Sequence, residues 1–437
     1  MGGSKIDAPV TIATVGGEGT RLYPLTLSQP KPLLSMCGEA ILARALETLA
    51  LQGCRKFILA SKGVDNTTRL KEYFKRGEGF SRRLRLRPDA SFMYQPNYLD
   101  HGNGDAVRFC MEFFDIDTDV LVVSGDNVID IDIPGLMDFH RRNRNLLTVV
   151  LKELEGDEEI TQFGIAEVNK EMRIKGFHEK PSKPQSRYIN TSIYLFSPDI
   201  RYVFREMGER VRDIGKDVIP YLTEKGYPVF GYMCEGYWAD VGRPELFLKT
   251  TLDILEGKLR RIRVGTRQTT LSRLFGSTSA IEKRQVIHPS TLKAVARGVD
   301  IGRNVMIGAD CKIGKGVEVE NSFIGDSCIL GERSTIMNSV VMDFTNISSE
   351  VRLNNCIVGR YSTIEEKSVI DGEMSVDVVM GNPDLIPVLG EGVTIVKGSV
   401  IGPKKRVARI QESHRLLSTG RFIELGYDRN NIYFIER

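Results

Sequence analysis

The stretch IGRNVMIGADCKIGKGVEV, residues 301–319, places an apolar residue at every sixth position and a glycine directly after three of them. Neither a helix nor an ordinary strand has a period of six, whereas a three-sided β-helix turns one residue of every hexad inward. The sequence therefore predicts a left-handed parallel β-helix of hexapeptide repeats, with one-residue slips near 319–324, 342–347 and 353–358. The later apolar residues of this frame are Ile324, Leu330, Ile336, Met342, Ile347, Leu353, Val358, Ile364, Ile370, Val376, Leu389, Ile395 and Ile401.

The sequence before the repeats alternates short apolar runs with amphipathic stretches. The runs at 10–15, 56–60, 91–94 and 120–124 have the composition of buried strands, and helical patterns lie between them at 41–51 and 106–114. This alternation predicts a three-layer, Rossmann-like α/β domain with a mostly parallel sheet. We divide the chain into an α/β domain (1–255), a charged linker (256–285), the hexapeptide-repeat β-helix (286–405) and a C-terminal tail (406–437).

Bulk composition excludes several classes of protein. The 437 residues include 60 basic and 57 acidic side chains, so no strongly basic field is available to recruit nucleic acid. Seven cysteines are scattered without a C-x-x-C pair, which favours a reducing cytoplasm over a disulfide framework or a structural zinc site. No secretion signal or membrane span is evident, so we expect a cytoplasmic protein whose ligands are small molecules.

The densest chemistry follows the first predicted strand, in GGEGTRLYPLTLSQPKPLL, residues 16–34. A glycine loop after a strand can bring backbone N–H groups against phosphate oxygens. The loop is not a P-loop, and Leu22 replaces the third glycine of the dinucleotide fingerprint. Arg21 and Lys31 add two cations at fixed places, which suits a triphosphate whose leaving group is pyrophosphate.

GGEGTRLYPLT followed by QPKP resembles the nucleotide-binding motif of the sugar-1-phosphate nucleotidylyltransferases. In that family the stretch holds the phosphates of a nucleoside triphosphate. The resemblance implies that residues 1–255 form a catalytic domain. It also implies that Arg21 and Lys31 are catalytic residues, and that the nucleotide is bound by Gly16, Gly17, Gly19 and Thr20.

Two further strings resemble metal-binding motifs of the family. SGDN, residues 124–127, closes a predicted buried strand, and GYWADVG, residues 236–242, lies farther along the chain. The resemblance implies that Asp126 and Asp240 bind Mg²⁺. Two carboxylates fit a hard cation that is held by oxygen ligands and substrate phosphates.

The sugar phosphate is expected at HEKP, residues 178–181, where the resemblance implies that Glu179 binds sugar hydroxyls and Lys180 binds the phosphate. QFG (162–164) and INTSIYLF (189–196) resemble the family's sugar-pocket segments and imply roles for Gly164 and Asn190. Ser192 stands where the family commonly has glycine, and this departure leaves the identity of the sugar open.

Nucleobase recognition is expected between residues 95 and 107. Gln95 offers both a donor and an acceptor, and Gly102 and Gly104 permit close backbone approach to a base.

The resemblance implies a reaction in which a phosphate oxygen of the sugar 1-phosphate attacks the α-phosphorus of the triphosphate and pyrophosphate leaves. GNGDAV and DIGKDVIPYL (213–222) resemble the glucose-1-phosphate adenylyltransferase branch, which implies ATP with glucose 1-phosphate. QPKPLL instead resembles the mannose-1-phosphate guanylyltransferases and the deoxythymidine-diphosphate-glucose synthases, which leaves GTP with mannose 1-phosphate as the main alternative. A catalytically silent assembly subunit is a further alternative. An acyltransferase on the β-helix is disfavoured because no histidine lies between His288 and His414. Exposed coil edges predict a homo-oligomer.

Overall fold

A computed structural model describes residues 8–17, 19–154, 160–262, 284–373, 386–409, 415, 417, 422–428 and 431–436. The chain forms two compact units. The first comprises residues up to Gly17 together with 42–240, and the second comprises 18–41 together with 241–437. The glycine-rich motif is therefore divided, because Gly16 and Gly17 belong to the first unit and the residues that follow belong to the second.

The first unit is built on a nine-stranded sheet. Seven strands follow one another in the order 174–179, 164–168, 188–196, 120–124, 10–15, 56–61 and 91–94. The other two, 147–153 and 229–233, join the sheet through the strand 188–196. The strands are Val10–Val15, Lys56–Ser61, Ser91–Tyr94, Val120–Ser124, Leu147–Glu153, Gly164–Val168, Ile174–Glu179, Tyr188–Phe196 and Val229–Met233.

The four strands 10–15, 56–61, 91–94 and 120–124 are all parallel, as the sequence predicts for this half of the sheet. The strand 188–196 runs antiparallel to its neighbours, so the sheet as a whole is mixed. Apolar residues of these strands share a buried core with the helices at 103–113, 200–207 and 219–224. This arrangement is the Rossmann-like α/β fold expected from the sequence.

The α-helices of the described residues are Ile41–Leu51, Val64–Phe74, Glu78–Leu84, Asn103–Phe113, Ile133–Arg142, Ile200–Met207, Ile219–Glu224, Pro244–Leu255 and Pro289–Leu292. Short 3-10 turns span Thr20–Leu22, Lys31–Leu33 and Gly208–Arg210, and a π-helical turn spans Ile214–Val218. None of the helices in the described ranges is long and apolar enough to cross a membrane. All seven cysteines lie in those ranges as free thiols, as expected.

The second unit contains the left-handed parallel β-helix, whose three faces are three parallel sheets. Its inward residues form one continuous core. The first face holds Gln285–Ile287, Val305–Ile307, Phe323–Ile324, Val340–Val341, Ile357–Val358, Val388–Leu389 and Lys405–Arg409. The second holds Asp300–Ile301, Glu318–Glu320, Thr335–Met337, Arg352–Asn354, Val369–Asp371 and Val400–Ile401, and the third Lys312–Ile313, Ile329–Leu330, Asn346–Ile347, Thr363–Ile364 and Thr394–Ile395.

One detail of the predicted frame is wrong. The first face aligns Ile307, Ile324, Val341 and Val358, so a coil is 17 residues long and one of its three sides is a residue shorter. Val341 rather than Met342 belongs to the inward core, and the slip falls between residues 336 and 341 instead of 342–347. Val376 lies outside the described residues.

The segment that we set aside as a tail extends the first face of the β-helix. Its strands Phe422–Asp428 and Asn431–Glu436 continue that face in antiparallel pairing after Lys405–Arg409. The Arg406 guanidinium is fully buried and lies 3.6 Å from the Glu245 carboxylate of the helix 244–255. Of the linker proposed at 256–285, residues 263–283 lie outside the described part of the chain.

Candidate active site

Three of the predicted segments follow the carboxyl ends of parallel strands in the first unit. Gly16 and Gly17 follow the strand 10–15, Gln95 follows 91–94, and Asp126 lies two residues beyond 120–124. Because these strands are parallel, their carboxyl ends meet at one edge of the sheet. Open α/β sheets bind ligands at this edge.

The two predicted metal ligands lie close together in the fold. Asp126 occupies a turn whose Ser124 hydroxyl donates to its Oδ1 at 2.5 Å. The next strand, Asn127–Asp130, pairs antiparallel with Tyr237–Asp240, and Asp240 lies opposite Asn127. Asp126 is therefore one residue from the position that faces Asp240.

This donor set fits magnesium, which proteins commonly hold with one or two carboxylates, water and substrate phosphates. No cluster of three or more His, Cys, Asp or Glu side chains able to hold a metal occurs among the described residues. The carboxylates of Asp126 and Asp240 could therefore supply protein ligands to Mg²⁺ while the substrate supplies the others.

The Thr191 carbonyl ties the metal-motif strand to the strand of the expected sugar pocket. It accepts hydrogen bonds from Asn127 Nδ2 at 2.8 Å and from the Trp238 indole N–H at 3.0 Å. The Trp238 ring also meets Phe163 edge to face, with centroids 5.6 Å apart. Trp238 thus joins the GYWADVG, INTSIYLF and QFG segments. The local sequence does not predict these contacts of Trp238, because it places the residue only within a string that resembles a metal motif.

Strand pairing brings the QFG and HEKP segments together. Gly164 lies opposite Glu179, and a Cβ on Gly164 would lie 2.8 Å from Glu179 Oε2 and 2.7 Å from the Phe177 ring. Only glycine fits at this position without displacing those side chains. The Lys180 N–H donates to the Phe163 carbonyl at 3.1 Å, and Lys180 has a left-handed backbone with φ 48°. Its exposed side chain is thus directed by a fixed, strained backbone.

Glu179 lies in an electrostatically unusual place. Burial raises the pKa of its carboxyl group, and the nearby Asp213 carboxylate raises it further, while Lys180 and Lys216 oppose the shift. The Asp213 carboxylate accepts the Lys216 N–H at 2.9 Å and so caps the turn 214–218. Asp213 was missed as a site residue, although the string DIGKDVIPYL that contains it had been singled out.

Asn190 is held in place by its own strand. Its Nδ2 donates to the Tyr194 phenol at 2.7 Å, and its Oδ1 accepts the Ser192 N–H at 3.0 Å. The Ser192 hydroxyl also acts on the Tyr194 phenol, whose pKa it lowers. Burial raises the pKa of Tyr194, and the charges of Asp213 and Glu179 add to that effect. Asn190, Glu179 and Asp213 therefore share one neighbourhood around the buried Tyr194 ring.

The remainder of the glycine motif is a compact loop in the second unit. The Thr26 hydroxyl donates to the Gly19 carbonyl at 2.8 Å, and a Cβ on Gly19 would lie 3.1 Å from the Lys31 Cβ. Gly19 has φ 65°, which glycine adopts without strain. Thr20 and Arg21 follow in a 3-10 turn, with Arg21 exposed and the Lys31 side chain buried. The structure thus gathers Gly19, Thr20, Arg21 and Lys31 into one loop.

The residues expected to read the nucleobase have other partners in the structure. Gln95 is buried, and its Nε2 donates to Asp100 Oδ2 at 3.3 Å. The backbone of Arg212 packs closely against Gly102 and Gly104, and its carbonyl accepts the Gly104 N–H at 2.8 Å. A Cβ on Gly102 would lie 2.5 Å from that same carbonyl. Packing against Arg212 therefore accounts for both glycines, and their contact with a base stays a prediction.

Comparison with known proteins agrees with this fold. Residues 10–257 match the profile of the nucleotidyl transferase family. Residues 274–383 match the family described as the EIF2B subunit epsilon LbH domain, which agrees with the β-helix of the second unit. The chain belongs to the nucleotidyl transferase family.

Its relatives include sugar-1-phosphate nucleotidylyltransferases, so the resemblance found in the motifs is confirmed. A glucose-1-phosphate adenylyltransferase of Bacillus cereus is 30% identical over 268 residues, which cover 60% of this chain and 66% of that relative. The Bacillus thuringiensis protein of the same name is 28% identical over 85% of this chain and 96% of its own length. A UTP–glucose-1-phosphate uridylyltransferase of Synechocystis is 24% identical over 81% of this chain and 88% of its own length.

Proposed function

We propose that this protein transfers a nucleotidyl group from a nucleoside triphosphate to a sugar 1-phosphate and releases pyrophosphate. The observation that carries the proposal is the convergence of QFG, HEKP, INTSIYLF and GYWADVG around Thr191, Trp238 and Glu179 in the first unit. These four strings, which are spread over residues 162–242, thus form one continuous structure, and each resembles a segment of the same family.

Each proposed role follows from the chemistry of the side chain. Lys180 is the sugar-phosphate contact, because its cation would hold the attacking phosphate, and Glu179 and Asn190 would accept and donate hydrogen bonds to sugar hydroxyls. Arg21 and Lys31 would offset the charge that develops on the leaving pyrophosphate. No general base is needed, since a phosphate monoester is already ionised near neutral pH.

Asp126 and Asp240 are the proposed protein ligands of Mg²⁺. A bound magnesium ion would neutralise phosphate charge and help to orient the triphosphate. The chain's own contribution is to hold Asp126 in the turn before the strand Asn127–Asp130, through Ser124, and Asp240 on the strand that pairs with it.

For the substrates, we propose ATP and glucose 1-phosphate. Relatives from two Bacillus species named glucose-1-phosphate adenylyltransferase support this pair. The Synechocystis relative makes UTP with glucose 1-phosphate a second candidate, since it aligns over a similar share of the chain. GTP with mannose 1-phosphate is the third candidate, on the strength of the QPKPLL string.

A catalytically silent assembly subunit is the alternative from another functional class. The match of the second unit to a domain described as belonging to an EIF2B subunit favours it. The charged residues Arg21, Lys31, Asp126, Lys180 and Asp240 speak against it, because a subunit without catalysis does not need all five. We also propose that the protein is a cytoplasmic homo-oligomer, and a monomeric mass by light scattering at micromolar concentration would contradict the oligomer.

The test is pyrophosphate release from pairs of substrates. Purified protein is incubated with magnesium, one of ATP, UTP or GTP, and glucose 1-phosphate or mannose 1-phosphate. Release that requires both substrates supports the proposal. Lys180→Ala should raise KM for the sugar phosphate, whereas Lys183→Ala, an exposed lysine three residues away, is the matched control. Folded protein that releases no pyrophosphate with any pair would favour the silent subunit.

A further inference from the structure

The loop between Gly19 and Lys31 is hydrogen-bonded to a coil of the β-helix. The Ser28 hydroxyl donates to Glu391 Oε2, although the two residues are 363 positions apart in the sequence. Both belong to the second unit. The catalytic loop and the β-helix therefore share a direct polar contact within one compact body.

Ser28 is well placed to control the geometry of the loop. It follows Thr26, whose hydroxyl closes the loop on the Gly19 carbonyl, and it precedes the buried Lys31 by three residues. A shift at Ser28 would therefore move both ends of the loop. One end is Gly19, which is expected to approach a phosphate, and the other is Lys31, which is expected to contact pyrophosphate.

Two further contacts show that the loop lies against the coil instead of touching it at one atom. Arg415 Nη1 donates to the Leu27 carbonyl at 2.9 Å. A Cβ on Gly390 would lie 3.0 Å from the Pro24 Cβ, so glycine is what lets the coil approach the loop. Glu391 is the residue directly after this close approach.

Glu391 is itself oriented by its neighbours on the β-helix. Its Oε2 accepts a hydrogen bond from Arg360 Nη2 at 3.4 Å, and the Arg360 guanidinium lies 5.8 Å from the centre of the Tyr361 ring. Partly exposed ion pairs such as this one contribute little to stability. The pair with Arg360 therefore does not explain Glu391 as a stabilising residue. Its contacts instead support a role in which one carboxylate oxygen is held in the direction of Ser28.

We propose that Glu391 is a positioning residue for the nucleoside triphosphate, acting through Ser28 on the loop that contains Gly19, Arg21 and Lys31. The inference rests on the proposed function in assigning triphosphate phosphates to that loop. It gives the β-helix a direct part in nucleotide binding, since a coil side chain sets the geometry of a phosphate-binding loop.

The test compares four single variants and one double variant of the full-length protein. Glu391→Ala and Ser28→Ala each remove the hydrogen bond, and Glu391→Gln keeps an acceptor oxygen. Glu366→Ala is the matched control, because Glu366 is a coil glutamate whose carboxylate pairs with Lys397 at 2.8 Å. Binding of ATP, UTP and GTP with magnesium is measured directly by calorimetry, and KM for each substrate is measured by pyrophosphate release.

We expect Glu391→Ala and Ser28→Ala each to weaken binding of the preferred triphosphate about tenfold, which corresponds to about 1.4 kcal/mol. KM for the sugar 1-phosphate and the melting temperature should stay unchanged. The double variant should be no weaker than either single one, because both remove the same bond. Glu391→Gln and Glu366→Ala should bind like the original protein.

Contrary results separate the two proposals. Equal triphosphate binding by the original protein, Glu391→Ala and Ser28→Ala would overturn the positioning role while leaving nucleotidyl transfer intact. Weakened binding of both substrates together with a lower melting temperature would also overturn it, because that pattern indicates a merely structural contact. Triphosphate binding without turnover would remove the proposed function alone, and the binding data would still decide the role of Glu391.

Discussion

Replacing Ser192 tests how the chain tolerates a serine at a position where the family commonly has glycine. Ser192 has a left-handed backbone with φ 60°, which glycine adopts freely and other residues adopt at a cost. Its hydroxyl lowers the pKa of the buried Tyr194 phenol, and we expect this interaction to offset part of that cost as a hydrogen bond would. Ser192→Gly and Ser192→Ala separate the two effects, because both remove the hydroxyl but only glycine relieves the backbone.

The magnitudes follow from these two features. The left-handed conformation costs a residue with a Cβ about 1–2 kcal/mol, and the hydrogen bond contributes about 0.5–1.5 kcal/mol. Glycine also loses about 0.5–1 kcal/mol through the greater freedom of the unfolded chain. We therefore expect Ser192→Gly to change the free energy of unfolding by less than about 1 kcal/mol. Ser192→Ala keeps the strain and loses the bond, so it should destabilise by about 1 kcal/mol.

Urea unfolding of the two variants, with the m-value checked for constancy, gives this ordering directly. Tyr194 keeps its hydrogen bond from Asn190 in both variants, so the phenol does not lose its last donor. An alanine variant at least as stable as the glycine variant would show instead that the backbone at this position is not strained.

Three further predictions concern the same pocket. Lys180→Ala should raise KM for the sugar 1-phosphate about tenfold or more with little change in KM for the triphosphate, measured by steady-state kinetics. Carbon-detected NMR titration should give Glu179 a pKa above its ordinary value, and Asp213→Asn should move that pKa down. Because the folded pKa is raised, the stability contributed by protonated Glu179 is present below its unfolded pKa and is lost as pH rises through the folded pKa. Trp238→Phe keeps the ring contact but loses the N–H bond to the Thr191 carbonyl, so urea unfolding should show a loss of about 1 kcal/mol.

The β-helix was the part of the fold most fully predictable from sequence. A six-residue period has one structural explanation, so the strands and the inward residues followed directly. The frame failed at Met342, because residues 341 and 342 are both apolar and the sequence cannot say which of two adjacent apolar residues faces inward. In the structure Val341 stacks between Ile324 and Val358, so Val341 is the residue that faces inward.

In the first unit the candidate segments could be identified from the sequence, but the contacts between them are visible only in the folded chain. The sequence indicates Asp126, Glu179 and Asn190 as candidate site residues because they stand in strings typical of one family, and their roles stay predictions. Asp213 and Trp238 were missed because their roles depend on contacts with Glu179 and Thr191, which are far away along the chain.

Two other features can be recognised only in the folded chain and not in the sequence. The antiparallel strand 188–196 could not be predicted, since an apolar run does not record the direction in which it pairs. The bond between Ser28 and Glu391 joins two partly buried polar residues and leaves no signal in either local sequence.

The most direct test of the account is the pairwise requirement for substrates in pyrophosphate release. We predict that the protein with magnesium releases pyrophosphate only when a nucleoside triphosphate and a sugar 1-phosphate are both present, and that ATP with glucose 1-phosphate is the best pair. Release from a triphosphate alone, or no release from folded protein with any pair, would contradict it.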